Sequence, residues 1–522
     1  MIVHNGGTRD GRVMREAHAL QAAGHSVTVI GIPEASITSP EERLPDGVRV
    51  LRIAYDRSRI QKLILRAVAL APVALAAGYT LYRLYGSTVS LSGSSSGWRV
   101  ASLWDRTALG KIVLIAALML AFSYVLRSVM TRLQGSAARR IRENERLRRE
   151  IISEDGDQPL RADFPAIRSR IPDWLPDWML ELLTAPLALL GTGFPNFSSY
   201  RYRSRRLAST ATGLRPDVVH CHDCSALPTG WMVKEALNIP LIYDAHEIYE
   251  AVAARRLGAT DYFARVHAKY LPLVDGFVAV NGSAARYYRH AYPTAPPAVV
   301  IRNATEHTPA GAYDGRLHRT AGLPPEQKIL LYQGGFTRHR GLETLVLSAR
   351  LLPHDWSLVM MGSGPLLETL NAILPGKDSV GKLHILPAVP AAELLSWTQG
   401  ATVGIVPYED TVLNHWIATP NKLWEYPNAG VPMIVQPFTE MRRIIETYGC
   451  GWVLPEAFSA GAIAGLVASL TPGMIDEARA GCHRFIEADN WTVYRARLLD
   501  LYRNLEAMVP TRNRPDRVEA AA

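Results

Sequence analysis

The chain has 522 residues, of which 48% are hydrophobic and 20% charged, so it can bury large cores and is not a wholly disordered protein. Four cysteines in a chain of this length exclude a disulfide framework and fit a reducing compartment. The net charge is +9, but residues 57–207 hold 23 Lys/Arg against 11 Asp/Glu, so that segment carries +12 and the rest −3. This distribution favours an anionic lipid surface over nucleic acid as a partner.

The first 56 residues predict a βαβ unit of a parallel sheet. A short apolar run at residues 2–3 is followed by a loop rich in glycine. Val13, Ala17 and Leu20 then recur at helical spacing, and Gly24 is a helix stop. Residues 27–31 predict a buried strand. The chain begins without a basic stretch followed by a long apolar run, so no signal peptide is predicted.

Residues 57–207 predict an α-helical, membrane-associated insertion. Two uncharged apolar stretches, residues 67–82 and 112–126, are shorter than the roughly 20 residues of a membrane span. Basic residues flank both stretches on their outer sides, and their long side chains can reach the interface. A hairpin that spans the bilayer, a re-entrant or interfacial hairpin, and ordinary core helices all remain open. Trp174 and Trp178 suit the headgroup layer.

Apolar strands resume after this segment and predict an α/β fold of two Rossmann-like domains that face each other across a cleft. We assign residues 1–56 and 208–304 to an amino-terminal domain, residues 305–508 to a carboxy-terminal domain and residues 509–522 to a tail. The predicted strands are residues 217–222, 240–247, 275–280 and 298–303 in the first domain, and 329–332, 357–361, 383–386, 403–406 and 433–435 in the second.

Polar residues and glycines cluster where these strands end, which is where open parallel sheets bind ligands. Glycines at residues 334–335 let backbone amides approach a ligand closely, and Arg340 can add charge-assisted hydrogen bonds. Glu425 lies just inside a predicted helix start, and its carboxylate can accept hydrogen bonds. Cys221 and Cys224 form a single CxxC pair without a second pair, so no metal is expected.

Several motifs in this order resemble the family 4 glycosyltransferases, which are retaining enzymes of GT-B fold. The resemblance covers nearly the whole chain except residues 57–207. It is carried by residues 10–17 (DGRVMREA), 217–222 (DVVHCH), 243–247 (YDAHE), 334–341 (GGFTRHRG), 362–365 (GSGP) and 420–432 (PNKLWEYPNAGVP).

The resemblance implies a metal-independent transfer of a sugar from a UDP- or GDP-sugar, with retention and without a protein nucleophile or cofactor. It also implies the following roles. The catalytic candidates are His222, Arg340 and Glu425. The donor-binding candidates are Gly6, Gly7, Gly334, Gly335, Arg340, Gly362, Gly364, Asn421, Lys422 and Glu425. The candidates for acceptor or sugar contacts are His246, Glu247, Asn414 and His415.

Each candidate also has a structural interpretation. A histidine that ends a strand is often only hydrogen-bonded, Gly362 and Gly364 can form a tight turn, and Glu425 can complement a helix dipole. The family often carries a second glutamate eight residues before the ribose glutamate, and Ile417 occupies that position here. Loss of that carboxylate leaves open a catalytically degenerate, membrane-associated scaffold. A NAD-dependent enzyme would need a G-x-G-x-x-G motif after the first strand, which residues 5–11 lack.

The combined prediction is a glycosyltransferase at the cell membrane with cytoplasmic catalytic domains. Its partners would be a nucleotide-sugar donor, a lipid-linked or glycan acceptor, and membrane lipids, as in the synthesis of a cell-envelope polysaccharide. The cytoplasmic orientation follows from the basic residues on both outer flanks of the insertion.

Overall fold

The computed structural model describes residues 1–54, apart from 9 and 35–38, and residues 197–507, apart from 253–258, 309–310, 374–380 and 456–457. Residues 57–196 of the predicted insertion and the predicted tail lie outside the described residues. Within the described ranges, no helix combines the length and apolarity that a membrane crossing requires.

The amino-terminal sheet is parallel except for one edge strand. Ile2 bridges Ile30 on one side and Cys221 on the other, so the short apolar run at the start joins two groups of strands into one sheet. The strand order is β2-β3-β1, then Ile2, then β4-β5-β6-β7, and only β2 runs antiparallel. The strands are β1 Thr28–Gly31, β2 Glu41–Arg43, β3 Arg49–Arg52, β4 Val219–His222, β5 Leu241–Ala245, β6 Gly276–Ala279 and β7 Ala298–Val300.

The carboxy-terminal sheet has six parallel strands in the order β10-β9-β8-β11-β12-β13. Two of these strands run further than predicted, so Gly334 pairs with Gly362, and Gly335 pairs with Ser363. The glycines expected in loops therefore lie in the sheet. The strands are β8 Lys328–Gly335, β9 Trp356–Ser363, β10 Leu383–Leu386, β11 Val403–Val406, β12 Met433–Val435 and β13 Gly451–Val453.

The predicted first helix is confirmed, and its start is capped by Asp10, whose carboxylate accepts hydrogen bonds from the amides of Arg12 and Val13. The helices are α1 Gly11–Ala22, α2 Phe197–Gly213, α3 Leu227–Leu237, α4 Tyr249–Val252, α5 Ala259–Tyr270, α6 Gly282–Ala291, α7 Arg316–Ala321, α8 Leu342–Ser348, α9 Leu367–Ile373, α10 Leu394–Thr398, α11 Leu413–Trp416, α12 Lys422–Asn428, α13 Thr439–Tyr448, α14 Ala460–Ser469, α15 Pro472–Ala488 and α16 Trp491–Glu506; single 3₁₀ turns cover Leu271–Leu273, Ala349–Leu351 and Ala391–Glu393.

Two helices differ from the predicted domain boundaries. Helix α2 begins inside the segment assigned to the insertion, yet it buries Leu207 and Ala211 in the amino-terminal core. Helix α16 returns from the carboxy-terminal half and covers Gly276, where a β-carbon would approach the methyl groups of Leu501 and Leu505 to 3.2 Å. The apolar faces of both helices pack on the amino-terminal half. The periodicity of apolar residues predicts such a face, but not which half of the molecule will cover it.

Shortening Leu498 to alanine should lower the free energy of unfolding by about 2–5 kcal/mol, because this side chain on α16 is fully buried. Urea denaturation measures the change. Arg495→Ala, on the exposed face of the same helix, is the control and should have little effect. Equal losses for the two variants would contradict the docking of α16.

Candidate active site

A cavity of about 740 Å³ lies between the two halves of the molecule. Its walls come from the strand ends of both sheets and from the segment between β11 and α12. The lining residues from the amino-terminal half are His246, Glu247, Val280 and Asn303. Those from the carboxy-terminal half include Gln333, Gly334, Gly335, Arg340, Gly362, Tyr408, Asn414, His415, Ile417, Asn421, Lys422 and Glu425.

Glu425 is held in place by a glutamine that the sequence analysis did not single out. Its carboxylate accepts a hydrogen bond of 2.9 Å from Gln333 Nε2. Gln333 Oε1 in turn accepts a hydrogen bond of 2.7 Å from Thr398 Oγ1. Gln333 is buried at the end of β8, so a rigid sheet orients the carboxylate. The one sequence signal for this role is a polar residue at the end of an otherwise apolar strand.

Arg340 lies against a second residue that the sequence analysis missed, Tyr408. The guanidinium carbon is 3.9 Å from the centre of the Tyr408 ring, a cation–π contact. Gly341 makes this contact reachable. Its φ is +67°, and a β-carbon there would meet the Pro407 carbonyl oxygen at 2.1 Å. Gly341 thus lets the loop after β8 pack closely on the backbone at Pro407, and the Arg340 guanidinium lies against Tyr408 and lines the cavity.

Lys422 is the second cation of this wall, and its Nζ lies close to Gly334, 2.7 Å from where a β-carbon would be. The φ of Gly334 is +126°, a backbone conformation that favours glycine. Burial lowers the pKa of Lys422 to about 8, and Arg340 adds to this effect while Glu425 opposes it. Two cations and one oriented carboxylate therefore share the carboxy-terminal wall.

Gly362 and Gly364 are required by close backbone packing. A β-carbon on Gly362 would meet the Gly334 carbonyl oxygen at 1.9 Å, and one on Gly364 would meet the Phe336 carbonyl oxygen at 2.5 Å. Gly362 lines the cavity, whereas Gly364 does not. The structure thus favours the tight-turn interpretation for Gly364.

On the amino-terminal wall, the cavity is lined by His246 and not by His222. His222 is completely buried, and its Nδ1 lies 3.2 Å from His246 Nε2. His246 has Asp223 at 3.2 Å from Nδ1 and Asp244 at 3.1 Å from Nε2. Burial lowers the pKa of His246, but the two carboxylates outweigh it and raise the pKa to about 10. The wall residue is therefore an imidazolium at neutral pH, with His222 behind it.

A buried ion pair lies beneath His246. Arg12 Nε and Nη2 donate to the two Asp244 carboxylate oxygens at 2.6 and 2.8 Å. Although burial raises it, Arg12 and His246 hold the pKa of Asp244 well below its usual range. Glu16, 3.4 Å from Arg12 Nε, is fully buried. Burial and the Asp244 carboxylate raise the pKa of Glu16 to about 8.

Ligand atoms of Glu16, His220, His222 and Asp244 lie within 4.8 Å of one another, a spacing that could hold a metal ion. Arg12 Nε lies 3.4 Å from a Glu16 carboxylate oxygen and 2.6 Å from an Asp244 carboxylate oxygen, so a cation of the chain already contacts both carboxylates of this group.

Gly6 and Gly7, which the resemblance assigns to donor binding, are not among the residues that line the cavity. The Gly6 amide donates to Glu34 Oε1 at 2.6 Å, and the Gly7 amide donates to Asn5 Oδ1 at 2.8 Å. Their amides are engaged by side chains of the same domain, a pairing that the loop sequence did not reveal.

Asn414, His415 and Ile417 line the cavity, and Asn414 and His415 also make hydrogen bonds to the chain. Asn414 Oδ1 accepts a hydrogen bond of 3.0 Å from the Ile248 amide across the cleft. Ile417 is 1% exposed. His415 Nδ1 lies 2.8 Å from the Glu409 carbonyl oxygen.

Two sheets of parallel strands facing across a polar cleft define an α/β protein of GT-B-like fold. A sucrose-phosphate synthase from Thermosynechococcus elongatus has this architecture, with a TM-score of 0.59 over 97% of this chain and 98% of that one, at 14% identity. Residues 151–308 match the family Glycosyltransferase Family 4, and residues 315–482 match Glycosyl transferases group 1. The chain thus carries the two domains of a glycosyltransferase.

The chain is also similar in sequence to curated glycosyltransferases, at low identity. A D-inositol 3-phosphate glycosyltransferase of Thermobispora bispora is 24% identical over 311 residues, which cover 55% of this chain and 70% of the relative. The enzyme of the same name from Streptosporangium roseum is 26% identical over 313 residues, or 55% of this chain and 69% of the relative. The Family 4 match begins at residue 151, within the segment predicted as an insertion.

Replacing Glu16 by glutamine should stabilise the protein more at pH 8 than at pH 5. The folded chain keeps the Glu16 proton up to about pH 8, whereas the unfolded chain releases it near 4.5. The free energy of unfolding therefore falls as the pH rises between these values, and glutamine removes that fall.

Urea unfolding at pH 5 and pH 8 measures this difference. Glu477→Gln, at an exposed position on α15, is the matched control and should show the wild-type pH dependence. A Glu16→Gln variant with the same stability change at both pH values would contradict the assignment of a bound proton.

Proposed function

We propose that this protein transfers a sugar from a nucleotide-diphosphate sugar, UDP- or GDP-linked, to an acceptor hydroxyl, with retention and without a metal. The observation that carries the proposal is the carboxy-terminal wall of the cavity. There a carboxylate oriented by the sheet, Glu425, faces the same space as Arg340 and Lys422 beside the exposed glycines of β8. Ribose hydroxyls need such an acceptor, and a diphosphate needs such cations.

In the proposed reaction the bond between the anomeric carbon and the diphosphate oxygen breaks, and negative charge develops on the departing diphosphate. The acceptor oxygen bonds to the same face of the anomeric carbon, and its proton passes to the departing diphosphate oxygen. Arg340 and Lys422 stabilise this charge in a partly enclosed cavity, where fixed charges act more strongly than in water. Arg340 is fixed by Tyr408, so little reorganisation is needed during transfer. Glu425 binds the ribose and holds the donor in register.

The amino-terminal wall supports an acceptor that presents hydroxyl groups. Glu247 and Asn303 line this wall with groups that accept hydrogen bonds from hydroxyls. His246 adds positive charge while its two ring nitrogens lie against Asp223 and Asp244. We propose a lipid-linked or glycan acceptor; the matched relatives are named for D-inositol 3-phosphate.

We further propose that the part of the predicted insertion that precedes α2, residues 57–196, attaches the enzyme to the cell membrane, with both catalytic domains in the cytoplasm. The support is the sequence: two apolar stretches, a polar loop between them and 19 Lys/Arg against 11 Asp/Glu in these residues. Such attachment would bring the cavity near a lipid-linked acceptor and suits the synthesis of a cell-envelope polysaccharide.

A second candidate function is a nucleotide-sugar-binding scaffold without transfer activity. The observation in its favour is Ile417, which stands where the family often carries a glutamate, and which is buried. The two candidates differ in one measurable property, because only an enzyme releases UDP or GDP from the donor.

Glu425→Ala should weaken binding of UDP or GDP by about 1–3 kcal/mol, because charged hydrogen bonds to the ribose are lost. Isothermal titration calorimetry of the full chain with each nucleotide measures the effect. Gln333→Met should lower affinity in the same direction by a smaller amount, because it frees the carboxylate.

Glu368→Ala is the matched control, since Glu368 also lies in the first turn of a carboxy-terminal helix but faces solvent. It should leave nucleotide affinity unchanged. Nucleotide affinities that are equal in Glu425→Ala and the wild type would remove Glu425 from the ribose role.

The membrane attachment predicts that the protein stays with the membrane fraction after a carbonate wash, because a hairpin embedded in lipid does not depend on charge. Fractionation of cells followed by immunoblotting measures this. Release by high salt alone would show electrostatic attachment and contradict an embedded hairpin. Labelling of a cysteine introduced at Ser95 from outside intact cells distinguishes a spanning hairpin from a re-entrant one.

A further inference from the structure

The segment between β11 and α12 belongs to the carboxy-terminal half by connectivity, yet it docks into the amino-terminal half. We call residues 412–419 the bridging segment. Six of its eight residues line the cavity: Val412, Asn414, His415, Ile417, Ala418 and Thr419. One wall of the candidate active site is therefore built by one domain and supported by the other.

Two apolar side chains anchor the bridging segment. Leu413 and Ile417 are 2% and 1% exposed, and both belong to the same buried cluster as Tyr243 and Phe277 of the amino-terminal sheet. Leu413 is the first residue of α11, and Ile417 directly follows its last residue. Trp416 points the other way and packs on Phe438 of the carboxy-terminal half, with ring centres 4.8 Å apart. The segment is thus fixed from both sides.

Hydrogen bonds from the amino-terminal half hold the backbone of the same segment. Asn281 Nδ2 donates to the Ile417 carbonyl oxygen at 2.7 Å and lies 3.2 Å from Thr419 Oγ1. Asn303 Nδ2 donates to the Thr419 carbonyl oxygen at 3.1 Å. Each donor follows the end of an amino-terminal strand. Because the Asn281 bonds are buried, losing them would leave unpaired polar groups.

We propose that the bridging segment couples the two domains for catalysis, and that Asn281, Leu413 and Ile417 are positioning residues for sugar transfer. This inference rests on the proposed function. The nucleotide-binding groups Gln333 and Glu425 lie wholly in the carboxy-terminal half, so they do not need the segment. The wall next to the donor sugar does need it, and a displacement of about 1 Å there can cost roughly 100-fold in rate.

The inference gives Ile417 a role that its departure from the family pattern left open. A carboxylate at this position would lie in the apolar cluster beside Leu413, where desolvation disfavours the charge. The side chain therefore serves as an anchor, and polar groups elsewhere on the segment face the sugar. Ile417→Glu should lower turnover and not restore a family-like contact.

The test uses the full chain and the series Ile417→Val, Ile417→Ala and Asn281→Asp. Aspartate at 281 keeps the oxygen that accepts from the Ala284 amide and caps α6, but it removes the amide that donates to Ile417. We would measure dissociation constants for UDP and GDP, and for UDP-glucose and GDP-mannose. We would also measure kcat and KM for the hydrolysis of UDP-glucose to UDP and of GDP-mannose to GDP.

Matched controls exist for both substitution types. Asn490→Asp alters another helix-capping asparagine, whose Nδ2 donates to the Ile486 carbonyl oxygen at 2.9 Å while its Oδ1 accepts from the Thr492 amide. Ile475→Ala removes another buried isoleucine, 4% exposed, from the carboxy-terminal core. Melting temperatures of all variants show how much stability each loses.

We expect Ile417→Ala and Asn281→Asp to lower kcat at least roughly tenfold while the UDP or GDP dissociation constant stays within about twofold of wild type. Ile417→Val is the smallest change of the series, and its kcat should lie between those of the wild type and Ile417→Ala. Controls with equal stability loss should keep kcat. If wild type binds a sugar nucleotide without turnover, the variants should lose the affinity that the sugar adds to the nucleotide.

Two outcomes would overturn the inference while leaving the proposed function intact. One is a kcat of the bridging-segment variants equal to that of the controls, and the other is a parallel loss of nucleotide affinity. A wild-type protein that binds none of the four ligands would instead overturn the proposed function, and the positioning role with it.

Discussion

The amino-terminal half of the site depends on one buried guanidinium. Arg12 on α1 binds both oxygens of Asp244 at the end of β5 and donates to the Ile301 carbonyl oxygen after β7 at 2.8 Å. Removing either charge would leave the other uncompensated in the core, which is far more costly than the pair is stabilising. Asp223 and Asp244 together raise the pKa of His246 against the effect of its burial. Arg12 therefore fixes the start of α1 against the ends of β5 and β7, and it holds the carboxylate that lies beside His246.

The carboxy-terminal half is organised differently, because its ligand-facing groups come from neighbouring strands and the helix that follows. Gln333 at the end of β8 holds Glu425 on α12, and Gly341 brings Arg340 onto Tyr408. These contacts stay within one sheet and its loops. The proposed nucleotide site is thus a property of one domain, whereas the arrangement of donor and acceptor depends on both.

The connection between the halves is itself a network of buried polar contacts. Asp489, just before α16, lies 3.0 Å from Arg302 Nη1 and accepts a 3.0 Å hydrogen bond from Trp424 Nε1. Glu440 Oε1 accepts hydrogen bonds from both the amide and the hydroxyl of Ser283. The Trp424–Asp489 bond stays within the carboxy-terminal half, and Arg302 of the amino-terminal half reaches this half through Asp489.

The sequence alone determined the two-sheet α/β architecture, most of the strands and the glycines, cations and carboxylate of the carboxy-terminal wall. These follow from apolar periodicity and from motifs that act within one strand and its loop. The strands it missed are β2 and β3, which carry charged residues, and the three-residue β13.

Only the tertiary structure decided that His246 and not His222 reaches the cavity, that the Gly6 and Gly7 amides are engaged, and that Ile417 is an anchor. Each of these depends on partners distant in the chain, such as the contact of Ile417 with a cluster that includes Tyr243. Side-chain periodicity specifies which residues share a face of an element, but not which element of another domain will cover that face.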